Sequence, residues 1–154
     1  MAILNKLRKL FTLNKKTILL FIEAFLYLGL ARCLISLPFA RIAPSLGARM
    51  EETSHALPEG NQAELARVHE AIQVVSRHTF WESKCLVRAI AASKMLNRRG
   101  IESTIYLGTA RNEFGHMAAH AWLRSGPYYI TGYEGMEDFT VVGKFAKFIR
   151  NEGQ

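Results

Sequence analysis

Two short segments of this chain carry side chains able to do covalent chemistry. The first, Phe80-Trp81-Glu82-Ser83-Lys84-Cys85-Leu86-Val87-Arg88-Ala89, sets a cysteine at the predicted start of a helix, with Ser83 as the expected cap. Unpaired backbone N–H groups and the positive end of the helix dipole favour a thiolate at such a position, and Lys84 and Arg88 add positive charge. Cys85 is therefore a candidate nucleophile. The competing reading is a buried thiol acting as a small hydrophobe, and for Cys33, inside an apolar stretch, it is the only one. The second segment is His116-Met117-Ala118-Ala119-His120-Ala121-Trp122-Leu123. Strand alternation puts His120 and Trp122 on one face and Ala119 and Ala121 on the other. A neutral imidazole with small neighbours can take a thiol proton and return it to a leaving amine, the Cys/His logic of acyl transfer. The competing reading is a core-edge histidine satisfied by backbone groups.

A third group must hold the imidazole. If the hairpin turns through Ser125-Gly126-Pro127, the residues opposite His120 are near Thr131 and Gly132, neither of them acidic. Glu134 follows on the same face within diagonal reach, which makes it the candidate orienting carboxylate. Glu137 and Asp138 fall farther along, in an expected loop. His116 and His120 with Cys85 suggest a metal, but no carboxylate or second thiol completes that set, so no metal is expected.

Several elements must position these groups. Leu65, Val68, Ile72 and Val75 recur at helical spacing between Gln62 and Arg77. Leu86, Ile90, Ser93 and Leu96 mark one face of a second helix, which Gly100 stops. The period then changes: residues 103–109, 117–124 and 128–131 are β-compatible runs separated by turns. Helices first and strands later indicate an α+β domain with an antiparallel sheet. Upstream, five of the first sixteen residues are basic (Lys6, Arg8, Lys9, Lys15, Lys16) and an apolar run follows. Glu23 within that run, and Arg32 at its end without a small-residue cleavage site, argue against a signal peptide. The uninterrupted part is also shorter than the ~20 residues that cross a bilayer. It reads as a long core helix, and the basic leader leaves contact with a membrane surface as the alternative. Pro38, Pro44 and Gly47 punctuate its end. The expected organisation is a helical arm over 1–50, a polar linker over 51–61 and a catalytic core over 62–154.

The chain has 154 residues, 49% of them hydrophobic and 21% charged, with a net charge of +7. That suits one domain and favours acidic partners. Two cysteines, Cys33 and Cys85, exclude a disulfide scaffold and a four-cysteine zinc site, and fit a reducing cytoplasm.

Taken in order, Cys85-Leu86-x-Arg88-Ala89, Leu96-x-Arg98-Arg99-Gly100-Ile101, a short strand ending in Gly108, Ala119-His120-Ala121-Trp122-Leu123 and Thr131-Gly132 resemble the transglutaminase-like cysteine peptidases of lasso-peptide biosynthesis. Within them the chain is similar to the stand-alone leader peptidase of the split B-protein system, over nearly its full length. The resemblance implies a papain-like core, in which a helix bearing Cys85 packs on a small antiparallel sheet bearing His120. It implies that Cys85 attacks the carbonyl at the leader–core junction of a ribosomally made precursor, with His120 as base and then acid. It also implies a separate leader-binding protein and an ATP-dependent lasso cyclase as partners. No cofactor is expected in this chain, which has no G-x-x-x-x-G-K-[ST] loop. Members of that family often carry an aspartate about a dozen residues after the histidine, where this chain has Gly132. Two other functions compete: an acyl- or amide-transferring enzyme using the same Cys/His pair, and a basic nucleic-acid-binding module. The second lacks any recognisable binding motif, so no nucleic acid is expected as a partner.

Overall fold

In the computed structural model, which describes residues 2–56 and 60–150, the expected amphipathic faces are the ones that pack. Leu65, Val68, Ile72 and Val75 are all buried in α4 (Gln62–Ser76). Helix α5 (Cys85–Arg98) buries Ile90, Ser93 and Leu96 as expected and adds Val87, Ala89, Ala91, Ala92 and Met95, so it is enclosed on most sides. It packs against α4, against an upstream helix α2 (Lys15–Leu34) and against three strands. The alanines of α5 and Ala24 and Ala31 of α2 have no exposed surface. Small residues at such a contact let helix axes come close, and the lost dispersion contacts make any void there costly.

The expected helix after the basic leader is α2, preceded by α1 (Ala2–Phe11) and capped by Asn14, whose side chain accepts from Lys16 N. Only one stripe of α2, Leu20, Ala24, Leu28 and Ala31, is buried; Leu19, Ile22, Leu26 and Leu30 are exposed. The carboxylate that interrupts its apolar run turns inward. Glu23 takes two hydrogen bonds from Arg99, at 2.8 and 2.7 Å, while Arg99 Nε donates to Glu64 at 3.1 Å. One guanidinium therefore ties α2 and α4 to the end of α5.

The strands β2 (Ser103–Arg111), β3 (Met117–Ser125) and β4 (Tyr128–Thr131) follow the predicted runs. Further elements lie outside the predicted runs, a 3-10 turn at Met136–Asp138 among them. Helix α3 (Phe39–Leu46) forms between the prolines: Pro38 precedes it, and Pro44 is tolerated in eight residues anchored by Ile42 and Leu46. Strand β1 (Ala48–Arg49) pairs with β5 (Thr140–Lys147), which was unread because Val141 and Val142 are adjacent rather than alternating. The sheet is antiparallel with order β1-β5-β2-β3-β4, and the fold is α+β.

The arm and linker pack with the core. Residues 57–59 of the expected linker lie outside the described residues, but Thr53 N donates to Thr104 Oγ1 at 2.9 Å. Buried Arg124 donates to the Thr53 and Ser54 carbonyls, the Gly126 carbonyl and the Tyr106 hydroxyl. Residues 53–54 thus cover the sheet face opposite α5, and β1 brings the arm into the sheet.

Hydrogen bonds from Arg99 hold the Glu23 carboxyl below the usual carboxylate range, against the opposing effect of burial. A depressed folded pKa stabilises the fold above the unfolded carboxylate value, and that stability is lost as pH falls through the folded one. Glu23→Gln should therefore cost on the order of 1–3 kcal/mol at neutral pH. Denaturant titrations at descending pH should show the gap from wild type closing in acid; a constant gap would mean that the carboxylate charge contributes nothing.

Candidate active site

Cys85 is the first residue of α5. Lys84 holds the cap position in an extended conformation (φ −70°, ψ 174°), and its side chain makes no capping hydrogen bond. The first helical bond runs from Arg88 N to the Lys84 carbonyl at 3.0 Å. The N–H groups of Cys85, Leu86 and Val87 therefore have no helical partner. Ser83, the expected cap, is one residue too early, and its hydroxyl instead pairs with Thr79 Oγ1 at 2.9 Å, bracing the loop that leads into the helix. Cys85 is half-buried and packs at the edge of the core, as do Trp81, Leu86 and Leu107. Trp81 lies against Phe25 of α2, with ring centroids 5.0 Å apart. Cys33 is exposed on α2 rather than packed as expected.

His120 lies on β3 opposite Gly108 of β2. Its Nε2 is 2.8 Å from the carbonyl oxygen of Gly132. A carbonyl only accepts, so in the neutral ring Nε2 carries the hydrogen and Nδ1 the lone pair. Phe139 and Trp122 flank the imidazole, at centroid distances of 5.1 and 5.8 Å. Two glycines make room. A Cβ on Gly108 would come within 2.8 Å of both Trp122 and Phe139. At Gly132 (φ +72°) a Cβ would fall 2.4 Å from the Ala121 carbonyl, so only glycine brings this carbonyl so close to β3.

Helical and strand rise put Cys85 and His120 at about one level along the sheet if α5 runs along β2. Ser93 Oγ of α5 is 3.2 Å from Ser103 Oγ at the start of β2. Going back eight residues along α5 covers roughly 12 Å at helical rise, which β2 spans in about four residues. That reaches Leu107, the neighbour of Gly108 and hence of the His120 pair. The two side chains are not joined, however. Ala121 and Leu123 belong to the core shared with α5, while alternation turns His120 to the other face with Trp122 and Arg124. No hydrogen bond links the thiol to the imidazole among the described residues.

Glu134, the expected orienting carboxylate, is exposed, as are Glu137 and Asp138, and none of them bonds His120. The expected register placed Thr131 and Gly132 opposite His120. The observed one pairs Thr131 with Leu123 after a bulge between Leu123 and Arg124, and Gly132 reaches the imidazole by leaving the strand. The Gly132 carbonyl was missed because a backbone acceptor leaves no residue-type signal; the missing aspartate at that position was the only trace. No group of three His, Cys, Asp or Glu able to hold a metal occurs among the described residues.

The ring nitrogens of His120 should report this geometry directly. Nitrogen-15 NMR at a pH where the ring is neutral is expected to show the Nε2–H tautomer. Gly132→Ala, which cannot keep the carbonyl in place, should lose that preference and destabilise the fold by roughly 1–3 kcal/mol. An Nδ1–H tautomer in the wild type would rule out the Gly132 bond.

Residues 25–144, from within α2 to within β5, match the profile of the Transglutaminase-like superfamily. No curated protein and no solved structure matches the chain. The matched span contains the cysteine-bearing helix and the histidine-bearing strand in the order described, and the chain belongs to the transglutaminase-like superfamily.

Proposed function

We propose that the protein is a cysteine peptidase that removes the leader from a ribosomally synthesised lasso-peptide precursor. Members of the superfamily are typically cysteine peptidases or acyltransferases. The observation that carries the reading is Cys85 at the first position of a central helix whose N–H groups lack partners, packed on the strand that bears His120. In the proposed reaction Nδ1 of His120 takes the thiol proton, and the sulfur attacks the carbonyl at the leader–core junction. The tetrahedral oxyanion accepts from the free N–H groups at the helix start. Its collapse breaks the C–N bond, and the imidazolium returns the proton to the departing core amine. Water then attacks the thioester with His120 as base, releasing the leader carboxylate and the thiol.

In the chain alone Gly132 holds the ring, and Nε2–H can donate to its carbonyl in both protonation states. The reading requires His120, which lies on the sheet face away from α5 in the chain alone, to change face relative to Cys85 in the substrate complex, a larger change than the tightening of a hydrogen bond. A separate leader-binding protein delivers the precursor, and an ATP-dependent cyclase consumes the freed core. Hydrolysis and transfer to an amine share every step up to the thioester, and product mass separates them.

Cys85→Ala and His120→Ala should each abolish precursor cleavage with native circular dichroism, whereas Cys33→Ala should cleave normally. Gly132→Ala should slow cleavage by about 10²-fold, the scale of a misplaced catalytic group. Glu134→Gln, Glu137→Gln and Asp138→Asn should leave the rate near wild type. Near-normal cleavage by either the Cys85 or the His120 variant would overturn the assignment, and a large loss at Glu134 would return the orienting role to that carboxylate.

Cleavage should also be weak without a leader-binding protein and strongly stimulated by one. The +7 charge makes attraction to an acidic leader or partner sensitive to ionic strength, so stimulation should fall as salt rises. Full activity on precursor alone, unaffected by salt, would contradict this part of the reading.

A further inference from the structure

We propose that α1 and the outward face of α2 form a docking surface for an anionic lipid bilayer. Helix α2 has a mean hydropathy of 1.8 over its most apolar 18-residue window, long and apolar enough by composition to cross a membrane, yet only 22% of that window is buried in the protein. It does not span, because Leu20, Ala24, Leu28 and Ala31 pack on the rest of the fold and Glu23 is clamped by Arg99. Its other side is an apolar ridge: Leu19, Ile22, Leu26 and Leu30, at spacings of three, four and four, are 66%, 50%, 64% and 45% exposed. Such a ridge, with one face held by protein and the other free, suits a helix lying in the plane of the lipid interface.

Charge selects the occupant. The first fifty residues hold eight Lys or Arg and one acid, Glu23, so the whole net charge of +7 resides there. The single acid is paired with Arg99 and Arg98, which lie outside those fifty residues. Grooves run along both flanks of the ridge. One, about 630 Å³, has Lys16 among its lining residues together with Arg67, paired with Glu64, and with Arg98 and Arg99, both paired with Glu23; the other, about 530 Å³, lies between α2 and α4, with Lys9 among its lining residues. Phosphate headgroups at Lys9 and Lys16, with acyl chains against the ridge and in the apolar groove, satisfy both features at once. A second copy of the chain would instead bring two like-charged surfaces together. Phe80, 90% exposed and stacked edge-on against Trp81, extends the apolar surface toward the loop before Cys85, so docking would set the catalytic helix close to the bilayer. This inference does not depend on the reaction proposed above.

The test is flotation of the full-length chain with phosphatidylcholine vesicles, with and without phosphatidylglycerol. Binding is expected only with the anionic lipid and should fall as salt rises. Lys15→Gln and Lys16→Gln should each lower the partition coefficient by about fivefold at low salt. Leu19→Ser with Leu26→Ser, at exposed positions, should lower it more than tenfold while circular dichroism stays native. Equal binding to neutral vesicles, no binding to anionic ones, or a ridge variant that binds like wild type would each overturn the proposal. A lipid-free dimer that the ridge variant dissociates, without vesicle binding, would assign the face to a second copy.

Discussion

The enclosure of α5 is the constraint on which the remaining structure depends. With Val87, Ala89, Ala91, Ala92, Met95 and Leu96 all lacking significant exposure, α2, α4 and the sheet must each present a complementary surface to one helix. Enclosure also determines where chemistry can occur. A helix buried along its length exposes partnerless backbone groups only at its ends. The C-terminal end carries Arg99, which donates to the Met95 carbonyl and joins Glu23 and Glu64. The N-terminal end has Lys84, which lacks an acceptor to cap with, and so keeps its amides available beside Cys85.

What could be read from the sequence follows from how strongly each element's pattern reflects its burial. The faces of α4 and α5 and the runs of β2, β3 and β4 were legible because one side of each faces the core and the period of apolar residues records it. Strand β5 was not. Its first half, Val141 and Val142, is exposed, and only Phe145 and Ala146 are buried at its far end, so no alternation survives. Helix α3 was obscured by its prolines, which propensity reads as punctuation and which Ile42 and Leu46 override by packing. Cys85 and His120 were legible as residue types at positions that make them useful. The face on which His120 sits relative to α5 was not, since alternation gives two faces without saying which one the helix covers.

The second face of the sheet shows how a polar residue can organise packing that apolar periodicity does not announce. Arg124 is fully buried, yet its donors reach four partners on three segments, so its charge stays solvated by dipoles. Its cation also lies 5.8 Å from the Tyr106 ring, which stacks on Trp122 at 5.7 Å. Burial pushes the Tyr106 hydroxyl above its usual pKa, partly offset by the bond from Arg124. The ladder Arg124, Tyr106, Trp122, His120 is therefore continuous, and it fixes the aromatic wall against which the imidazole rests.

In the proposed reaction, a carbonyl in place of a carboxylate beside His120 changes how the site would divide its work. A carboxylate both fixes the tautomer and supplies a full negative charge to an imidazolium; the Gly132 carbonyl fixes the tautomer and supplies only a dipole. Less of the stabilisation of separated charge can then come from the histidine side. More must come from the groups facing the sulfur and the oxyanion, which are the three partnerless amides at the start of α5. In that reaction the uncapped start of α5 would supply stabilisation that the Gly132 carbonyl, a dipole rather than a full charge, does not.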